Sequence, residues 1–246
     1  MTADEVAVDA SPPGAVGFRE PALLVRLLVT LLWIIIAVDA AAIVSTGFEV
    51  RLLGSFQQHA YTSIEAARAD ASANDVRQHL IGILQIGLTI VTGIIFLCWV
   101  YRANANAHRL GAAGMEDTPG WSVGWYFIPF ANLWMPYQSM KEIWRASAAP
   151  ADWRNHPRGV ILPWWWFLFL ASGVAGQVAF ALGWDRHDIS TAMVTAIAAM
   201  IANAIAMAAW LTTLVLVRQI HRMQLSRARP QGAPAAPASG HRSALG

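Results

Sequence analysis

The chain has 246 residues, 56% of them hydrophobic and 13% charged, with a mean hydropathy of +0.43 and a formal net charge of +2. That composition excludes an ordinary soluble domain, and the near-balanced charge gives no basis for a nucleic-acid partner. The single cysteine, Cys98, excludes an intrachain disulfide, and no Cys/His spacing resembles a zinc site, so neither a metal nor a cofactor is expected.

In chain order, residues 1–22 carry Asp4, Glu5, Asp9, Pro12 and Pro13 and read as a disordered N-terminal tail. They are not the basic n-region of a cleaved signal, and the apolar run that follows exceeds an h-region, so the first span reads as an uncleaved anchor. A hydrocarbon core of about 30 Å calls for roughly 20 apolar residues per crossing. Residues 27–48 meet this and are interrupted by Asp39; a mixed-charge loop over 49–78 follows, with a short helix around Ile64–Arg68. The second span is 80–101. The third, 160–183, opens with Pro163 and the run Trp164–Trp166, and the fourth, 190–217, is alanine-rich. In it Ala198, Ala202 and Ala206 have the small-xxx-small spacing that lets helix backbones approach closely. Residues 226–246 are Pro/Ala/Gly-rich and read as a second disordered tail. The fold expected is all-α: a polytopic helical membrane bundle over 23–225, with about four transmembrane helices.

Between the second and third spans lies a segment of different character, 121–147. Trp121, Trp125, Trp134 and Trp144, with Pro129 and Pro136, surround a stretch that carries no charge from Trp121 to Met140. Tryptophan concentrates where hydrocarbon meets headgroups, and proline leaves backbone groups that lipid cannot satisfy. Such a segment either crosses or dips in and returns. With a return there are four crossings and both termini are inside. Thirteen of the seventeen basic residues then lie on the cytoplasmic side, one more than with a full crossing.

Polar residues within the spans separate the two topologies further. With four crossings, a rise of about 1.5 Å per residue puts Asp39 about 19 Å from the cytoplasmic end, Gln85 and Asn203 about 21–22 Å and Gln177 about 25 Å. With five crossings the layer splits. Four crossings with a re-entrant or interfacial Trp/Pro segment are therefore expected. Asp39 costs about 2.5–3.5 kcal/mol to insert. It is either a proton or cation site facing Gln85, Gln177 and Asn203, or a hydrogen-bonded aspartate that ties helices together.

Arg102, Asn106 and Arg109 follow i, i+4, i+7 spacing, a face suited to anionic headgroups or to carbonyls of the broken segment, and equally to plain interfacial anchoring. Pro136 suits a helix's first turn. The helix it opens has Met140, Ile143 and Trp144 on one side and Lys141 and Arg145 on the other, an amphipathic element lying in the interface. Glu142 is expected to pair with Arg102 or Arg109, closing an interfacial clasp that also contains Asn132 and Arg145. No H-E-x-x-H, G-x-S-x-G, P-loop or Rossmann fingerprint occurs, and the seven histidines are scattered singly.

The block from Tyr101 to Ser147 resembles a family of bacterial multi-pass membrane proteins, domain of unknown function 4328. The residues that carry the resemblance are Tyr101, Arg102, Asn106, Leu110, Gly111, Pro119, Trp121, Gly124, Trp125, Phe127, Pro129, Asn132, Leu133, Trp134, Pro136, Met140 and the run Glu142–Arg145 with Ser147. It extends over about Leu80 to Val217 and implies membrane location but no activity. The expected function is a non-enzymatic scaffold or accessory subunit in the cell membrane, contacting anionic lipid, a partner protein or further copies of itself. The alternatives are a small channel or transporter built on the Asp39 layer and, third, a lipid-acting enzyme.

Overall fold

The computed structural model describes residues 17–58, 61, 63–184 and 188–228. Both expected tails fall for the most part outside these residues. Helix α1 is Ala22–Gln57, α2 Ile64–Arg109, α3 Pro119–Gly124, α4 Met135–Ala148, α5 Ile161–Trp184 and α6 Ile189–Ala228; short 3₁₀ turns lie at Trp125–Phe127, Ala131–Leu133 and Pro150–Asp152. Four helices (α1, α2, α5 and α6) are long and apolar enough to cross a membrane, and there is no strand among the described residues.

Two helices exceed their expected spans. Most of the loop expected over 49–78 is helix instead: α1 continues to Gln57 and α2 starts at Ile64. The sequence from Ile64 to Asp75 is alanine-rich and free of proline and glycine, so nothing stops a helix beyond the bilayer. Ser63 caps it by accepting the Ala66 N–H at 3.1 Å. At its 46 residues α2 is about 69 Å long, more than twice the hydrocarbon thickness. α6 is capped by Asp188, whose carboxylate accepts the Thr191 N–H at 2.6 Å and the Ser190 hydroxyl at 2.9 Å. Those bonds, the Thr191 amide first, hold the Asp188 carboxyl below the usual range.

Neighbouring contacts give the arrangement. α6 packs extensively along both α1 and α5, α2 packs along α1, and α2 and α5 stand apart. They meet near one end, where the Phe96 and Trp165 rings lie 6.4 Å apart. At that end the start of α1, the end of α2, the start of α5 and the end of α6 come together. Asn106 donates to the Arg19 carbonyl at 3.1 Å, and Gln224 donates to the Ala103 carbonyl at 2.8 Å and to Ser147 at 3.0 Å. Residues 110–160 therefore leave and return at one end of the bundle and cap it, and the four helices long and apolar enough to cross a membrane lie on one side of this cap.

The buried core concentrates beneath that cap. Leu28, Leu32, Trp99, Val100, Met140, Ile143, Leu162, Trp165, Leu216, Val217 and Ile220 are its fully buried members. Toward the other end, the open end, α5 contributes no buried side chain after Trp166. The helices splay from a packed cap to an open wedge.

Candidate functional site: a polar groove beneath an aromatic cap

The wedge between α2 and α5, floored by α1 and α6, is polar at mid-depth. Gln85 donates from its single amide nitrogen to Asp39 Oδ1 at 2.8 Å and to Asn203 Oδ1 at 2.7 Å. Asn203 in turn donates to the Ala199 carbonyl one turn earlier, at 2.9 Å. Three spans are thus joined through three side chains in one layer. Asp39 is 4% exposed; its Oδ1 accepts from Gln85, and the Trp210 side chain is a further hydrogen-bonding neighbour of the same carboxyl. A carboxyl at this depth is held by donors from two neighbouring helices, α2 and α6.

Two cavities meet at this layer. One, of about 490 Å³, runs from the open end between all four spans and is lined by Glu49, Gln78 and Thr46 down to Gln85 and Asn203. The other, of about 1000 Å³, starts from Gln85 and Asn203, takes in Asp39, and continues past Thr89, Gln177 and Thr213 to Asn132 and Leu133 of the cap. Gln85 and Asn203 line both. Gln177 lines the groove as an exposed side chain, with no hydrogen bond to the triad. The polar layer expected from depth alone is assembled for Asp39, Gln85 and Asn203, and Gln177 stands beside it.

The open end carries a network that sequence reading did not single out. Arg77 donates to Ser45 Oγ at 2.8 Å and to Asn74 Oδ1 at 2.6 Å, and Gln78 donates to Glu49 Oε2 at 2.8 Å. The signal was present: Ser45 and Glu49 are i, i+4 on α1, and Asn74, Arg77 and Gln78 are i, i+3, i+4 on α2. It was hidden because that stretch reads as a loop.

In the cap the clasp is wired differently from expectation. Glu142 pairs with neither Arg102 nor Arg109. It is buried and accepts the backbone N–H groups of Glu116 at 2.5 Å and Asp117 at 3.1 Å. The two backbone amides of that loop occupy both carboxylate oxygens and are fixed in place, whereas a long arginine side chain would have to be ordered to reach them. Burial holds the Glu142 carboxyl above its ordinary value, partly offset by those amides, with Asp117 and Glu116 pushing it further up. Asp117 accepts the Trp125 indole N–H at 2.9 Å, and its carbonyl accepts from Asn104 at 3.2 Å. Trp153 and Arg154 donate to the carbonyls of Ala113 and Gly114 at 3.0 and 2.6 Å.

Of the remaining clasp candidates, Asn106 binds the Arg19 backbone and Arg109 lies against Gly17. Arg145 sits in the last turn of α4 with its Nε buried and unbonded. Asn132 belongs to the groove rather than to the clasp. Arg102 is half-buried and has no hydrogen bond or ion pair among the described residues.

The Trp/Pro segment turns at Phe130, whose φ of 64° is the only positive one among the described non-glycine residues. The Ala131 N–H donates to the Pro129 carbonyl at 2.8 Å across it, the i→i+2 bond of a strained γ-turn. The Trp166 indole donates to the Leu133 carbonyl at 2.9 Å and fastens this irregular backbone to α5. Phe127, Phe130, Leu133 and Trp134 are exposed at the tip, as an element lying against lipid requires.

Four apolar spans, one polar layer and an aromatic cap at one end define a multi-pass helical membrane protein. The chain belongs to the family described as Domain of unknown function (DUF4328), whose model matches residues 62–222, about two thirds of its length. No curated protein and no solved structure matches it. The match is wider than the expected Leu80–Val217 and takes in the open-end extension of α2, with Asn74, Arg77 and Gln78.

Proposed function

We propose that the protein is a small membrane transport protein that passes protons, or a small cation, along the groove through the Asp39–Gln85–Asn203 layer. The observation that carries this reading is that the two cavities share Gln85 and Asn203 as their common wall, with the Asp39 carboxyl beside it. An ionisable group placed this deep is expensive, and such groups mark ion pathways and proton relays. In this mechanism a proton enters past Glu49 and Gln78, rests on the Asp39 carboxyl, and leaves toward Asn132 and the cap. Gln85, holding Asp39 and Asn203 through one amide, is the group that must let go for the proton to move. Broken backbone facing a path at membrane depth is the arrangement known from transporters. No covalent chemistry is required.

The test is proton flux in proteoliposomes. Asp39→Asn keeps the hydrogen bond from Gln85 but removes the titrating group, so flux should fall to that of protein-free vesicles while elution and helicity stay as in the wild type. Unchanged flux with intact assembly removes the reading.

A second reading, a scaffold or accessory subunit held on anionic lipid or a partner, is supported by Lys141, Arg154 and Arg158, which face outward around the cap. Neutralising all three should weaken flotation with anionic vesicles; undiminished flotation ends its lipid version. In both readings the protein sits in the cell membrane with the capped end and both termini cytoplasmic, the orientation that the arginine distribution supports.

A further inference from the structure

On the opposite flank of the cap a third cavity, of about 620 Å³, lies between the end of α2, the start of α1 and α3. Its walls are apolar: Leu24 from α1, Ile94 and Leu97 from α2, Val123 from α3 and Phe127 from the turn that follows. Tyr101 and Arg102 stand at its mouth. Ile94 lies two turns before Arg102, about 12 Å deeper along the helix, so the cavity runs from the headgroup level down into hydrocarbon.

We propose that this cavity binds one anionic glycerophospholipid, its phosphate on Arg102 and one acyl chain along Leu97 and Ile94. Three observations favour this occupant. The Arg102 guanidinium is half-buried and without a partner among the described residues, a state that a phosphate's paired oxygens relieve with two parallel hydrogen bonds. Tyr101, itself exposed, lines the same cavity and has a hydroxyl able to supply a further donor. No acidic side chain lines the cavity, so nothing there receives the ammonium of a zwitterionic headgroup. Charge therefore selects a net-anionic lipid over phosphatidylcholine. The site is separate from the Asp39 groove and stands or falls independently of transport.

Cys98, the chain's single cysteine, is exposed and lines the same cavity, which makes it a reporter that needs no mutation. In the detergent-purified full chain, phosphatidylglycerol should slow N-ethylmaleimide labelling of Cys98, and phosphatidylcholine of matched chains should not. Native mass spectrometry should show phosphatidylglycerol retained over phosphatidylcholine, with Arg102→Gln lowering that retention about fivefold, the effect of one arginine at a lipid surface. Leu97→Trp, which fills the cavity from α2, should lower retention of phosphatidylglycerol while glycerol phosphate does not compete. Equal labelling rates in the two lipids overturn the proposal even if both variants misfold; so does R102Q retaining phosphatidylglycerol as the wild type does.

Discussion

Glu142 shows how a single side chain holds the cap. Its two oxygens take the amides of Glu116 and Asp117, and Asp117 is itself buried. Glu142→Ala strands the Asp117 N–H, which should cost about 1–3 kcal/mol of stability, read as a lower unfolding temperature in detergent. The pH dependence has a definite sign. Because burial raises the folded carboxyl above its unfolded value, the folded state keeps a proton that the unfolded chain has already lost. Stability is then fully present below the ordinary glutamate value, declines as pH rises toward the folded value, and is flat above it. Glu142→Gln should remove that decline; a wild-type profile retained in the glutamine variant would mean that another group titrates.

Gly159 is a second place where one atom decides. A Cβ there would overlap the Trp144 ring, a rigid aromatic packed against the core. Gly159→Ala should cost about 1–3 kcal/mol by overpacking, and Trp144→Leu in the same chain should restore part of the loss. Neither Glu142's partner nor this contact was legible in the sequence, because both depend on which loop backbone comes to rest against α4. The depths of Asp39, Gln85 and Asn203 were legible, since depth follows from counting residues along a straight helix; the count does not give facing, so Gln177, of similar depth, lines the groove without joining them.

At the level of elements, the spans were readable from apolar length and the cap from its tryptophans and prolines. The ends of α1 and α2 were not. Hydropathy falls where a helix leaves the bilayer, but the alanine-rich stretch after Ser63 keeps helical propensity, so a polar helix there has the hydropathy of a loop. One indole ties the irregular turn of the cap to α5 by a hydrogen bond, beside the apolar packing of Met140 and Ile143 on Leu162 and Trp165. Trp166→Phe keeps the ring and removes the donor to the Leu133 carbonyl. It should lower stability by about 1 kcal/mol and speed amide exchange over 128–135, where the strained turn at Phe130 is held. Exchange in that segment no faster than in the wild type would show that packing alone secures it.

For the whole molecule, the division into a packed, capped end and a splayed, polar open end follows from where the chain can satisfy its backbone. Irregular backbone at 110–160 is tolerated because it is roofed by its own tryptophans and strapped by Glu142, Trp153 and Arg154. The open half needs no such roof, because α1 and α2 continue as helices past the bilayer and carry their own hydrogen bonds outward. This requires both borders of the cap to share one side of the membrane. In a Cys98→Ala background, Ala113→Cys and Asn155→Cys, both exposed, should react with an impermeant maleimide from the same face of oriented vesicles. Ser72→Cys, exposed on the extension of α2, should react only from the other face. The pair at 113 and 155 tests the return of the Trp/Pro segment, and Ser72 tests the crossing by α2, so labelling of Ala113→Cys and Asn155→Cys from opposite faces would break the four-crossing arrangement and separate Asn132 from the groove it lines.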